Sequence, residues 1–310
     1  MKILITGSHG FVGGSFGRVA FEAGHKVLGV SRASKPQAVW PGSYFQVDLV
    51  GDDLCDIIRE FAPDIVFHAA GAASVANSLV KPLDDFRTTV QTWINTLDAV
   101  TRSGCRPHVI YPSSAAVYGN VSELPVHEDA ALRPISPYGF HKAACELLAR
   151  EYAECFSLRI TICRLFSLFG SEQHRLLVWD LYRQFADDNA HVYLDGTGYE
   201  TRDYLRIDDA CHAMMRLAEL PALKTSERRP IVINVASGVE TKVLDLANEI
   251  GSLVAPAKEV YCRGNERPGD PRAWQADVAR LRSLFPDWHP HPLSISLADC
   301  IADWKKEGSG

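Results

Sequence analysis

The chain runs from the aliphatic stretch Lys2-Ile3-Leu4-Ile5-Thr6 directly into Gly7-Ser8-His9-Gly10-Phe11-Val12-Gly13. A β-branched run, glycines at G-x-x-G-x-x-G spacing and an amphipathic continuation together predict a strand, a tight loop and the start of a helix. Glycine lets the backbone turn sharply and approach a pyrophosphate, whose charge the helix N-terminus holds through its N–H groups and dipole. Glycines also serve ordinary turns. Position after a first strand and before a helix makes Gly7, Gly10, Phe11, Val12 and Gly13 candidate dinucleotide-binding residues.

A chain of 310 residues, 46% hydrophobic and 23% charged, has material for one large α/β domain or two unequal ones. Its net charge of −6, with no basic block, supplies no counterion-release grip on nucleic acid, so no nucleic-acid partner is expected. No apolar run approaches the roughly 20 residues of a membrane span, and the first strand passes into glycines rather than a signal-peptide core. The expectation is a cytoplasmic protein without a membrane partner. The eight cysteines (55, 105, 145, 155, 163, 211, 262 and 300) form no C-x-x-C and no zinc-knuckle pair. Most read as reduced core thiols, with no metal site.

Short β-branched runs alternate with amphipathic stretches through the first half, which predicts βαβ units and a parallel sheet. Strands are expected at Lys2 to Thr6, Lys26 to Val30, Tyr44 to Val47, Asp64 to Ala69, His108 to Tyr111 and Arg159 to Cys163. Helices are expected from Phe11, from Asp52, from Pro82 to Ser103 and from Tyr138 to Cys155. Beyond Phe166 the alternation loosens, with strands at His191 to Leu194 and Ile231 to Val235 and helices at Leu176 to Asp187, Asp208 to Leu220, Thr241 to Ile250 and the C-terminus. The fold expected is a Rossmann-type, doubly wound parallel α/β sheet with a smaller C-terminal α/β substrate lobe. Residues 1–166 would form the dinucleotide-binding domain, with some later segments returning to it, and 167–310 mainly the lobe.

An acidic residue about 20 positions past the glycine loop would bind the ribose 2′-hydroxyl of NAD. Ser31 and Arg32 stand there instead, with Lys35 close by. A hydroxyl and a guanidinium suit a 2′-phosphate, so NADP(H) is favoured. Surface arginines after strands are commonplace, and NAD(H) stays open.

Tyr138 and Lys142 lie four apart, so on a helix both emerge from one face. An ammonium beside a phenol is expected to lower the phenol's pKa toward working pH, suiting it to exchange a proton with a carbinol oxygen. The strand ending Tyr111-Pro112-Ser113-Ser114 puts serine hydroxyls at the sheet's carboxyl edge, where open α/β folds bind ligands. Ala69, Ala70 and Gly71 are small enough for a cofactor to lie against their backbone, while His68 reads as a satisfied core histidine.

Six segments in order, TGSHGFVGG (6–14), HAAG (68–71), SSAAVYG (113–119), YGFHK (138–142), TRDYLRIDDA (201–210) and RPGDP (267–271), carry a resemblance over nearly the whole length. The chain resembles extended short-chain dehydrogenases/reductases of the NAD-dependent epimerase/dehydratase family, whose members modify nucleotide-diphosphate sugars. The resemblance implies Ser114, Tyr138 and Lys142 as the catalytic triad, Lys142 also holding the nicotinamide ribose. It implies Asp48 and Leu49 at the adenine, and Arg202 and Arg267, with Ser167, at the substrate diphosphate. It further implies a homodimer that pairs Pro82 to Ser103 and Tyr138 to Cys155 across a two-fold axis.

Dehydratases of this family carry Thr-Asp-Glu before Val-Tyr-Gly, where this chain has Ser114-Ala115-Ala116. Alanine transfers no proton, so elimination lacks its acid and base. Epimerases that exchange a proton beside a ketone place a cysteine beside the serine, and alanine again stands there. Hydride transfer alone survives, either as 4-keto-sugar reduction by NADPH, which Ser31-Arg32 favours, or as 4-epimerisation with a retained cofactor. Ser167 stands where the family has Asn. The segment from Ser171 to Phe185 would close on the substrate, or pack Leu177, Leu181 and Phe185 inward as a plain amphipathic helix. His289 and His291 read as loop surface. A non-catalytic dinucleotide sensor could dispense with Tyr138 and Lys142, so their presence with Ser114 favours an enzyme.

Overall fold

A computed structural model describes residues 1–37, 40–221, 229–265 and 269–307. Strands β1 (Lys2–Thr6), β2 (Lys26–Ser31), β3 (Ser43–Gln46), β4 (Ile65–His68), β5 (His108–Ser114), β6 (Arg159–Leu165) and β7 (Ile231–Val235) form one sheet. Their spatial order is β7-β6-β5-β4-β1-β2-β3, and every neighbouring pair is parallel. The chain winds outward from β1 to β3, returns to lay β4 beside β1, then winds outward the other way. The reversal between β1 and β4 is the point where loops diverge and open a crevice at the carboxyl edge.

Both faces are covered, as an all-parallel sheet requires. One face packs Ile3, Ile5 and Phe67 against helices α1 (Phe11–Glu22) and α5 (Ile207–Glu219), with the Phe16 and Phe67 rings stacked at 3.7 Å. The other packs Leu4, Val66, Val109 and Tyr111 against α2 (Cys55–Phe61), α3 (Thr92–Ser103) and α4 (Pro137–Phe156). Helix α5 and strand β7 both lie beyond residue 166, yet α5 packs on the first face and β7 pairs with β6. A third core, including Leu181, Phe185, Leu246, Ile250 and Trp304, sits under the later helices. Leu181 and Phe185 are buried and Leu177 packs against them, as an amphipathic helix at Leu176–Ala186 would have it.

Several element ends shift by one to four residues, and two expected elements differ more. β5 continues past Tyr111 to Ser114 because β6 extends beside it, pairing Ser114 with Leu165. Pro112 is accommodated because β4 pairs only as far as Ile110, which leaves β5 flanked on one side from there on. The expected helix from Pro82 to Ser103 is Pro82–Phe86, a π-helical turn at Arg87–Gln91, and α3. Five of the eight cysteines are buried and all are free. Among the described residues no helix is long and apolar enough to cross a membrane, and no cluster of three His, Cys, Asp or Glu could hold a metal. His291 does more than line a loop, since its backbone N–H and Nδ1 both meet the buried Asp209 carboxylate, at 2.9 and 2.7 Å.

Burial pushes His68 down to about 3 and His108 down to about 4, from an ordinary value of 6.5. Both are neutral in the folded chain where the unfolded chain binds a proton. Their stability contribution is therefore intact above pH 6.5 and is lost as pH falls toward 4. Urea unfolding between pH 6 and 4.5 should lose roughly 1.4 kcal/mol per pH unit for each of the two histidines. His108→Asn should halve that share of the slope.

Candidate active site

The glycine loop turns where the sequence requires it. Gly7 has φ +65°, and a Cβ there would lie 2.6 Å from the backbone of Ala69 and Ala70 at the end of β4. A Cβ on Gly13 would lie 2.4 Å from the Gly7 carbonyl oxygen. The three glycines thus let the first turn of α1 settle onto the loop and the loop onto β4. Gly10 is the N-cap of α1 and supplies no capping side chain, so no side-chain acceptor covers the helix's first N–H groups. Phe11 and Val12 are half-buried, and the Phe11 ring lies against Gly170. The Thr6 hydroxyl ties the two strand ends together, meeting His68 Nδ1 at 2.9 Å and accepting the Ala70 N–H at 3.3 Å. His68 is only partly satisfied, since its Nε2 has no partner among the described residues.

The far end of this crevice carries the residues singled out for the adenosine side. Ser31 accepts the Ala33 N–H at 3.2 Å, while Arg32 is exposed and makes no side-chain hydrogen bond or ion pair among the described residues. Asp48 is exposed and caps the turn at Val50, and Leu49 is buried beneath it. No carboxylate follows Ser31 at the end of β2.

On the other side of β4, the Ser114 hydroxyl lies beside the Tyr138 phenol and favours its ionised form. Ser114 also accepts the Ala116 N–H at 3.2 Å, opening a 3₁₀ turn at Ala115–Val117. Ser136 caps α4 through the Gly139 N–H, and Pro137 occupies its first turn, which sets the entry of Tyr138. Lys142, one turn on, is buried and donates to the Pro112 carbonyl at 2.9 Å. Its ammonium lies 4.8 Å from the Tyr111 ring centroid and 5.9 Å from that of Tyr138. The expected lowering of the phenol's pKa does not occur. Burial pushes Tyr138 up to about 12, against the opposing pull of the Ser114 hydroxyl, and burial likewise depresses Lys142. The lysine's charge is spent on a backbone carbonyl rather than on a phenolate.

Ser167 pairs with Tyr204, and its N–H donates to the Asp203 carbonyl at 3.0 Å, which brings it within two residues of Arg202. Arg202 is buried, paired with Asp270 at 2.9 Å and set over the Trp274 ring. Trp274 in turn donates to the Gly119 carbonyl and packs on Phe166, which connects Arg202 to the end of the serine strand. Arg267 lies outside the described residues.

Several residues escaped the sequence reading. The Ser113 hydroxyl donates to Glu146 at 2.6 Å, and Glu146 is paired with Arg164 at 2.7 Å, both buried. A glutamate two turns beyond Tyr138 on the inward face of α4, and an arginine inside the buried run Arg159–Leu165, were the available signals. Asp85, also buried, is paired with His141 between Tyr138 and the surface.

With this geometry in place, the chain can be set beside known proteins. The sequence profile described as "NAD dependent epimerase/dehydratase family" matches residues 3–236. The UDP-glucose 4-epimerase of Mycolicibacterium smegmatis is 29% identical over 97% of this chain and 96% of its own length. The GDP-6-deoxy-D-mannose reductase of Pseudomonas aeruginosa is 26% identical over 98% and 97%. Among solved structures, MoeE5 in complex with UDP-glucuronic acid and NAD superposes with a TM-score of 0.87 at 26% identity, covering 99% of this chain and 100% of that one.

Gly13→Ala should displace the loop against the Gly7 carbonyl and cost about 1–3 kcal/mol in chemical denaturation. Gly51→Ala, where a Cβ meets nothing within 4 Å, should leave the midpoint unchanged.

Proposed function

The chain belongs to the NAD-dependent epimerase/dehydratase family, and we propose that it acts on a nucleotide-diphosphate sugar by hydride transfer at one ring carbon, C4. The observation that carries this is the juxtaposition of Ser114, Tyr138 and Lys142 at the carboxyl edge of the sheet, with alanines at both positions where an eliminating acid and base would stand. The residues present fit a dinucleotide. Gly7 and Gly13 leave the loop without side chains, α1 opens without a capping side chain, and Ala69 and Ala70 end β4 with little bulk. When bound, the nicotinamide ring supplies the two-electron acceptor or donor.

The protein's own part is proton management. In the reducing direction the Tyr138 phenol, held protonated by burial, gives its proton to the forming C4 alkoxide, and Ser114 steadies that oxygen by a hydrogen bond. In the oxidising direction the same phenol must lose its proton, and Lys142 is the nearby cation that would stabilise the phenolate. Ser167 and Arg202 would meet the diphosphate, with Arg202 exchanging Asp270 for phosphate, and Arg267 would join them.

Two forms of this chemistry remain distinct. Several relatives are UDP-glucose 4-epimerases that match along nearly their whole length, which favours a hydride removed and returned to the other face of the sugar. The end of β2 favours net reduction of a 4-keto sugar by NADPH, because Arg32 is exposed and unpaired among the described residues and no carboxylate awaits a bare ribose. Incubation with a panel of nucleotide sugars, following NADPH absorbance and product epimers, separates them. Turnover of UDP-glucose to its C4 epimer without net cofactor use establishes the first; stoichiometric NADPH oxidation establishes the second.

Tyr138→Phe should lower kcat by roughly 10²–10⁴-fold in either form with the fold intact. Unchanged turnover would sink the assignment. Arg32→Ala should weaken NADPH binding by about 10- to 100-fold and leave NADH binding unchanged, as read by cofactor fluorescence.

A homodimer is also proposed. Leu79, Val80, Leu83 and Phe86 are exposed beside Phe140 and Leu147 of α4, an apolar patch across the helices the family pairs. Sedimentation should give a dimer for the wild type and a monomer for Leu83→Asp/Phe140→Asp.

A further inference from the structure

We infer that Glu146 and Arg164 form a positioning pair that fixes the distance between Ser114 on β5 and Tyr138 on α4. The inference rests on the reading of those two residues as the proton-handling pair. Tyr138, Lys142 and Glu146 follow one another at four-residue intervals and so share one face of α4. Glu146 Oε1 accepts the Ser113 hydroxyl at 2.6 Å and Arg164 Nε at 3.1 Å, and Oε2 accepts Arg164 Nη2 at 2.7 Å. Arg164 Nη1 donates to the Tyr118 hydroxyl at 2.8 Å and to the Glu128 carbonyl at 2.7 Å. Tyr118 passes the chain of bonds to Asn234 on β7, at 2.7 Å.

Four of the five N–H groups of Arg164 are therefore engaged, and the side chains of the pair are only 5% and 7% exposed. A planar fork satisfied on so many sides admits one register of β5, β6, β7 and α4. Ser113 and Ser114 are adjacent on β5, and Glu146 and Tyr138 lie on one helix face. The Ser113–Glu146 bond thus sets how far the Tyr138 oxygen stands from the Ser114 hydroxyl. A buried ion pair contributes little net stability over apolar packing of the same volume, so its effect here is on geometry.

That distinction gives the test. In Glu146→Met/Arg164→Met no charge is left unpaired, so the chain should unfold at a similar denaturant concentration. Its kcat on the substrate found by the panel should fall roughly 10- to 100-fold, while KM and the affinity for NADPH change less than about twofold. Arg164→Lys, which keeps the charge and loses the fork, should fall between. Independently of turnover, the ¹³Cζ resonance of Tyr138, assigned by its absence in Tyr138→Phe, should move in the double variant because the Ser114 hydroxyl shifts away from the phenol. Should the double variant not fold, Ser113→Ala removes one bond and strands no charge, and is read the same way with smaller effects. An unmoved resonance with kcat within twofold of wild type overturns the positioning role and leaves the hydride-transfer reading standing. A moved resonance in a protein whose wild type turns over no nucleotide sugar upholds the positioning role and rejects that reading.

Discussion

An all-parallel sheet has no face to give to water, and this one constraint organises the chemistry. Each strand must return by a crossover that covers a face, so the chain emerges from every strand at the same edge. In this chain the glycine loop, the His68-Ala69-Ala70 turn and the Ser113-Ser114 turn leave that edge side by side, from β1, β4 and β5. The Thr6 hydroxyl, bonded to His68 and Ala70, holds the first two of these ends in register. The crevice is thus a consequence of strand order, and Thr6 and His68 brace its lining from within the sheet.

Burial, more than charge, sets the ionisation of the site. Tyr138 rises to about 12 and His68 falls to about 3 for the same reason, the poor solvation of a charged form in the interior. Lys142 is depressed too, and its ammonium is held by the Pro112 carbonyl instead of facing a phenolate. The phenol is accordingly a proton donor at rest. A phenolate at this place would need positive charge brought close to it, because the interior solvates the charged form poorly.

How much of this was legible in the sequence follows from the range of the interactions. The strands Lys2–Thr6, His191–Leu194 and Ile231–Val235 were readable to the residue because their apolar runs end at clear breaks. The glycine loop and the Tyr138-Lys142 spacing were readable because each is written in a few consecutive residues. The continuation of β5 to Ser114 was not, since it depends on β6 extending beside it through Leu165. Nor was the pairing of Glu146 with Arg164, 18 residues apart on different elements, or the diversion of Lys142 to a backbone carbonyl from another strand. Periodicity fixes which way a side chain faces, but the group waiting there belongs to the tertiary fold.

The alanines that replace the eliminating acids have a structural role of their own. Ala115 and Ala116 are buried in a cluster with Phe166 and Trp274, so a carboxylate at either place would have to enter an apolar core. The Ala116 carbonyl also receives the start of α4, where a Cβ on Gly139 would lie 2.6 Å from that oxygen. Small residues on both sides let the helix come close enough for the Tyr138 phenol to reach the Ser114 hydroxyl. A larger side chain at 115, 116 or 139 would lift the helix from the strand end and draw the two groups apart. The packing that excludes a carboxylate from positions 115 and 116 is therefore the same packing that brings Ser114 and Tyr138 together.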